Sequence, residues 1–299
     1  MVTTRRWAVQ RTRVRAALHH AGAGAQRGTA AAARRVVPLR LRATPAAARW
    51  RTRLTPAPRS VLDPVLEAVS LALPQVRFIQ VGANDGEQQD PLHDAIRRFG
   101  WSGIMVEPVP FVFERLQRTS GALPGVILEN VAIAADDGEA PFHHLTPAGP
   151  GGEVPAWADG LGSFSLEVIR SHREAIPDIE QRIVTTVVPT MTFDRLRATH
   201  GVDRLDVLHV DTEGYDLEIL RLVDLDRLRP VVVVYEHHHL SPAERAAAHA
   251  LLEVAGYDLV EYGLDTWAFN PERLGADGGP VSAVWRAARD RAAAAMARA

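Results

Sequence analysis

The chain has 299 residues, 46% of them apolar, with no cysteine and a formal net charge of −2. The length suits one large α/β domain with tails, or two small domains. The missing cysteines exclude disulfides and thiolate metal sites and fit a reducing, cytoplasmic setting. No apolar run approaches the roughly 18 residues of a membrane span. All 34 basic residues are arginine, which together with the abundant alanine reads as compositional bias. The near-neutral total conceals an asymmetry. Residues 1–60 hold 14 arginines and no acid, whereas the remainder holds 20 arginines against 36 acids, a net of −16. A basic arm is therefore joined to an acidic body.

Residues 1–58 are rich in Ala, Arg, Pro and Thr without sustained apolar periodicity. Arg5, Arg6, Arg11, Arg13 and Arg15 have no hydrophobic core behind them, so a secretory signal is not expected. Two readings stand: a disordered or peripheral tail, or an arm that touches nucleic acid or an anionic membrane surface.

Residues 59–274 carry the α/β pattern. A helix from Ser60 to Leu73, with Val61, Val65 and Val69 on one side, leads into a strand at Val76–Val81. That strand breaks into the turn Gly82-Ala83-Asn84-Asp85-Gly86. Glycine lets a ligand approach the backbone, and Asn84 tolerates the left-handed conformation better than other side chains. Asp90-Pro91 then opens a helix whose Leu92, Ala95, Ile96 and Phe99 share one face. The spacing Gly82-x-Asn84-x-Gly86 is not the dinucleotide pattern. The next strand, Gly103–Val106, ends in Glu107-Pro108. An acid about 20 residues past a glycine turn, at the tip of the second strand, is placed to accept ribose hydroxyls.

After a helix bearing Phe111, Phe113 and Leu116, Val126–Ile133 reads as one strand and Ala140–Leu145 as another. Residues 146–162 are Gly/Pro-rich and read as a loop over a site. Val184–Val188 and Leu205–Val210 read as strands, the second ending in Asp211-Thr212-Glu213-Gly214-Tyr215-Asp216. Pro230–Tyr235 includes four consecutive valines, as expected of a strand covered on both faces, and ends in Glu236-His237-His238-His239. Ser241-Pro242-Ala243-Glu244 is a capping box. Asp258–Tyr262 and Thr266–Phe269 read as a closing β-hairpin. Residues 275–299 read as a linker and a peripheral helix.

Helices alternating with strands that end in acids place a site at the carboxyl edge of a parallel sheet. No phosphate loop is present, and there is no lysine to reach a phosphate. A positively charged sulfonium cofactor, with a ribose and adenine but no phosphate, suits such an acidic rim.

The elements Gln80–Gly86, Val106-Glu107-Pro108, Asn130–Ile133, Ser163-Phe164-Ser165 and Val210–Asp216 together resemble the FkbM family of S-adenosylmethionine-dependent methyltransferases, across roughly residues 76–270. The resemblance implies an α/β, Rossmann-like class I methyltransferase fold: a mostly parallel seven-stranded sheet with helices on both faces and a C-terminal hairpin. It implies O-methylation of a hydroxyl on a sugar or a macrolide-like acceptor. By position, the resemblance implies that Gly82, Asp85 and Gly86 line the methionine part, Glu107 the ribose, and residues near Asn130 to Ala132 the adenine, with Asn84 in the same cofactor-binding turn. Two further readings compete: a nicotinamide-dependent oxidoreductase, which the glycine spacing and the lack of lysine disfavour, and a scaffold protein that keeps the fold. A nucleobase N-methyltransferase is disfavoured by Asp211-Thr212-Glu213-Gly214 where an Asn/Asp-Pro-Pro-aromatic element is usual.

An alcohol is a poor nucleophile until a base or metal assists it. Asp211 and Glu236 end strands expected to be neighbours, and His237 follows with an ordinary pKa near neutrality. Two schemes follow: Asp211 or His237 as direct base, or a divalent cation held by Asp211, Glu236 and His237. The first, centred on Asp211, is favoured. If the histidine run is extended, alternate side chains point oppositely, which leaves His238 and His239 on a solvated rim.

Overall fold

The computed structural model describes residues 60–146 and 155–298. The basic arm and residues 147–154 of the expected loop lie outside them, so both readings of the arm stay untested.

The helices are α1 (Asp63–Ala72), α2 (His93–Phe99), α3 (Pro110–Ser120), α4 (Leu166–Ser171), α5 (Ile179–Arg182), α6 (Phe193–Thr199), α7 (Asp216–Leu222), α8 (Leu225–Leu228), α9 (Pro242–Val254) and α10 (Gly278–Met296). The strands are β1 (Arg77–Val81), β2 (Ser102–Val106), β3 (Val126–Glu129), β4 (Ala132–Ile133), β5 (Gly138–Leu145), β6 (Gly162–Ser163), β7 (Ile183–Met191), β8 (Val207–Val210), β9 (Val232–Glu236), β10 (Asp258–Tyr262) and β11 (Asp265–Phe269).

Seven strands form one sheet in the order β10-β11-β9-β8-β1-β2-β3, antiparallel only where β11 meets β9 and β10. From β1 the chain runs outward through β2 and β3, then returns to lay β8 against the other side of β1. The strand order reverses between β1 and β8, and the crevice outside their carboxyl ends is where such sheets bind ligands.

Alternation along each strand splits the core between the two faces of the sheet. Phe78 of β1 and Val232 and Val234 of β9 pack with α1, α2 and α10. Ile79, Val81, Val233 and Tyr235 pack with α6, α7 and α9. The valine run Val231–Val234 is fully buried, as a strand covered on both faces requires. The capping box of α9 forms as the sequence predicts, with Ser241 Oγ accepting from the Glu244 N–H and Glu244 Oε2 accepting from the Ser241 N–H.

Three features differ from the sequence reading. First, α10 is not peripheral. Trp285 is 1% exposed, stacks on Phe269 at 5.3 Å and donates to Asp258 Oδ2 at 2.7 Å. Ala288 and Ala292 bury beside it, small residues that let the helix sit close. Second, the stretch Val126–Ile133 is broken at Asn130, whose Nδ2 donates to the carbonyls of Glu107 and Pro108. The chain then leaves the main sheet. Third, β4, β7, β5 and β6 form a separate four-stranded sheet, and its Ala132, Ile133, Phe142 and Gly162 line a cavity together with Gly82 and Asp211.

Candidate active site

Gly82 and Asp211 meet where the strand order reverses. The Asp211 N–H donates to Val81 O at 2.9 Å, and the Gly82 and Ala83 N–H groups both donate to Val106 O. Gly82 has φ +79°, and a Cβ there would lie 1.7 Å from the Asp211 carbonyl oxygen. Asn84 takes the left-handed conformation anticipated for it, with φ 48°.

Glu107 is buried at the end of β2. Its Oε2 accepts from the Asn84 N–H at 3.1 Å and its Oε1 from the Val109 N–H at 2.8 Å. Each carboxylate oxygen has a second lone pair, so the group keeps acceptor capacity toward the cleft. Burial pushes its pKa up to about 7, against the opposing pull of those two N–H groups.

Two adjoining cavities share Gly82, Asn84, Gly160, Asp211 and Glu213. The smaller, about 570 Å³, has Glu107 on one wall and Val131, Ala132, Ile133, Phe142 and Phe164 around it. The larger, about 940 Å³, has Gln80, Asp90 and His209 among its lining, with His172, Glu236, His238 and His239. Gln80 Oε1, Asp90 Oδ2 and His209 Nδ1 are buried and accept or donate no hydrogen bond. Burial drives His209 down to about 3, so its ring is neutral. Gln80 and His209 are register partners on β1 and β8, each a buried polar residue flanked by apolar ones. That pairing is a signal the sequence contained.

Not every anticipated residue reaches a cavity. Asp85 caps its own turn, accepting from the Glu87 and Gln88 N–H groups. Gly86 packs beneath α3, where a Cβ would meet Leu116 at 2.8 Å. Asn130 braces the Glu107 loop, as above, and lines neither cavity. His237 lies on the hairpin side: its Nδ1 pairs with Thr266 Oγ1 at 3.0 Å and its N–H donates to Leu264 O. It does not converge with Asp211.

The histidine run is also not extended. β9 stops at Glu236, and the Leu240 N–H donates to His237 O, closing a turn. The turn returns His239 to the side of Glu236, with His239 Nε2 4.0 Å from Glu236 Oε2 and 2.9 Å from Glu213 Oε2. Donor atoms of Asp211, Glu213 and Glu236 lie within 4.8 Å of one another, as do those of His172, Glu213 and His239. Crowding has electrostatic consequences. Burial, then Asp211 and other acids, lift Glu236 to about 11; burial, then Glu213, Asp216 and Asp265, raise Asp211 well above the carboxylate range.

The turn holding these groups is fixed from below and above. Asp216, fully buried, accepts from Thr212 Oγ1 and from the N–H groups of Thr212 and Gly214. Ser163 Oγ donates to Glu213 O at 2.7 Å, and Phe164 packs on Tyr215 with ring centroids 5.0 Å apart. The Ser163-Phe164-Ser165 element thus ties the smaller sheet to the Asp211–Asp216 turn.

Strand order, glycine turn and the acidic end of β2 define a class I, Rossmann-like methyltransferase fold. Residues 80–259 match the Methyltransferase FkbM domain, and the chain belongs to that family of S-adenosylmethionine-dependent methyltransferases. Similar solved structures include the methyltransferase FkbM from Methylobacillus flagellatus KT, with TM-score 0.42 and 11% identity over 66% of this chain and 44% of that one. Another is precorrin-6y C5,15-methyltransferase from Geobacter metallireducens GS-15, with TM-score 0.37 and 12% identity over 70% of this chain and 87% of that one. A third is the Methanococcus jannaschii fibrillarin pre-rRNA processing protein, with TM-score 0.35 and 9% identity over 66% of each. This chain thus spans less than half the length of the Methylobacillus protein. Comparison with curated proteins found no match. Among the described residues no helix is long and apolar enough to cross a membrane.

Proposed function

We propose that this chain transfers the methyl group of S-adenosylmethionine to a hydroxyl of a sugar or macrolide-like small molecule. The observation that carries the reading is the pair of adjoining cavities, one walled by Glu107 and apolar side chains, the other by a carboxylate cluster, joined at Gly82 and Asp211.

The residues present fit the cofactor. Gly82 leaves backbone open where a side chain would collide, Glu107 has lone pairs for ribose hydroxyls, and Val131, Ala132, Ile133 and Phe142 offer an apolar wall for adenine. S-adenosylmethionine supplies an electrophilic methyl on a sulfonium that leaves as a neutral thioether. Asp211 lines both cavities; burial and neighbouring acids disfavour its ionised form in the empty fold, a bound sulfonium's charge would favour it, and the carboxylate then takes the hydroxyl proton as the acceptor oxygen forms its bond to carbon. Glu236 lies in the acceptor cavity, as the sequence reading placed it beside Asp211; His237 has no part in this scheme.

The Glu107 role has a pH signature. With a pKa raised to about 7 the ionised form is disfavoured in the empty fold. Its contribution to stability is therefore present at low pH and lost as pH rises through about 7. Ribose hydroxyls donate to the carboxylate, so cofactor binding favours ionisation and runs the other way. Affinity by calorimetry should be about tenfold weaker at pH 6 than at pH 8. The Glu107→Ala variant should bind about 10- to 150-fold more weakly and lose that pH dependence. A flat profile in the unsubstituted protein would remove Glu107 from the ribose.

The acceptor class is tested with methyl-labelled S-adenosylmethionine and a panel of sugars, polyhydroxylated macrocycles, amines and nucleic acids. Label should appear as methyl ethers. Label confined to nitrogen would contradict the reading.

A further inference from the structure

We propose that the larger cavity binds a divalent first-row transition cation through His172, Glu213, Glu236 and His239. The inference rests on reading that cavity as the acceptor side.

The four side chains come from three separate segments. His172 follows α4 in a short 3-10 turn, Glu213 lies in the turn after β8, and Glu236 and His239 flank the end of β9. Nothing in local sequence requires them to meet. Yet donor atoms of His172, Glu213 and His239 lie within 4.8 Å of one another, close enough that small side-chain rotations would bring them onto one ion with bonds of about 2.1 Å. The rings of His172 and His239 meet edge to face with centroids 5.0 Å apart.

Three observations separate this cluster from ordinary surface acids. Glu236 is 7% exposed, and its Oε2 is buried, accepts no hydrogen bond and lies 4.0 Å from His239 Nε2. A buried carboxyl oxygen without a partner is an uncompensated polar atom, and a cation would supply the missing partner. Among the described residues no arginine lines the cavity. His172 Nε2 is likewise buried without a partner. Glu213, moreover, is held with φ 51°, a conformation uncommon for glutamate, by the Ser163 hydroxyl on its carbonyl. The backbone is constrained where its side chain points into the cluster.

The donor set selects the ion. Two imidazoles with two carboxylates suit Mn²⁺, Fe²⁺ or Zn²⁺ better than Mg²⁺ or Ca²⁺, which prefer oxygen alone. Two carboxylates neutralise the charge. Asp211 lies at the boundary with the smaller cavity, beside the cluster rather than among the proposed ligands.

The test is titration of the full-length protein, freed of metal by chelator and dialysis, with Mn²⁺, followed by electron paramagnetic resonance and calorimetry. One Mn²⁺ per chain is expected, with Mg²⁺ at least tenfold weaker. Glu213→Gln and His239→Ala should each weaken Mn²⁺ at least tenfold. His172→Ala, a change on a half-buried turn, guards against a result that reflects misfolding and should do the same. No stoichiometric Mn²⁺ binding, or binding unchanged in all three variants, would overturn the site, as would equal affinity for Mg²⁺. S-adenosylmethionine affinity measured in chelator separates the two claims. Its retention without Mn²⁺ binding sinks only the metal site, and its loss with Mn²⁺ binding intact sinks the methyl-transfer reading.

Discussion

Gly82→Ala is expected to lower the melting temperature by about 10 °C and to abolish cofactor binding. The added Cβ would stand 1.7 Å from the Asp211 carbonyl oxygen and 2.7 Å from its carbonyl carbon, both backbone atoms. No rotamer change relieves a backbone collision. The neighbours are pinned as well: Gly82 donates to Val106 O, and Asp211 donates to Val81 O. Relief requires prising β8 from β1 at the point where the strand order reverses. The positive φ adds its own strain for any residue with a Cβ. Together these effects should remove about 3–5 kcal/mol. Calorimetric melting and cofactor titration measure both consequences. A variant melting within a degree or two of the parent and still binding would mean that β1 and β8 do not approach as described.

The second large effect is on rate. Asp211→Asn keeps the size of the side chain and removes its capacity to take a proton, so turnover of the accepted hydroxyl should fall about 10²- to 10⁴-fold. The same change should also remove a loss of stability that the empty fold suffers as pH rises, because burial and then Glu213, Asp216, Asp265 and Glu107 disfavour the ionised form of Asp211. Removing one of several crowded like charges relieves repulsion. A slower enzyme whose melting point falls less as pH rises is a signature that simple damage does not produce. Normal turnover in Asp211→Asn, with cofactor still bound, would move the proton acceptor elsewhere in the cluster.

The sequence carried the main sheet well because its signals are local. The strand-turn-helix around Gly82, the doubly covered valines of β9 and the capping box of α9 are each decided by neighbours in the chain. The smaller sheet was only half legible. β5 and β7 were visible as separate strands, but their pairing joins Gly138 to Thr190 across a long insertion, and β4 and β6 have two residues each. Asn130 read as part of a strand because its neighbours are apolar, whereas its amide leaves the ladder to hold the Glu107 loop. The C-terminal helix looked peripheral because alanine and arginine dominate it; one tryptophan and a row of small residues suffice to bury its face.

The candidate site shows the same division. Gly82, Glu107 and Asp211 stand at strand ends, where pattern reading places them. An extended chain after Glu236 favours His237 over His239, whereas the turn that forms there brings His239 back to Glu236. His172 comes from a 3-10 segment without periodicity, and only tertiary structure brings it to Glu213.

The most direct test of the central claim is native mass spectrometry of the purified full-length protein, with calorimetric titration of S-adenosylmethionine into the parent and Glu107→Ala proteins. The account predicts one S-adenosylmethionine or S-adenosylhomocysteine per chain, with binding weakened at least tenfold by the substitution. A protein that neither carries nor takes up the cofactor, or that binds it equally well without Glu107, would contradict it.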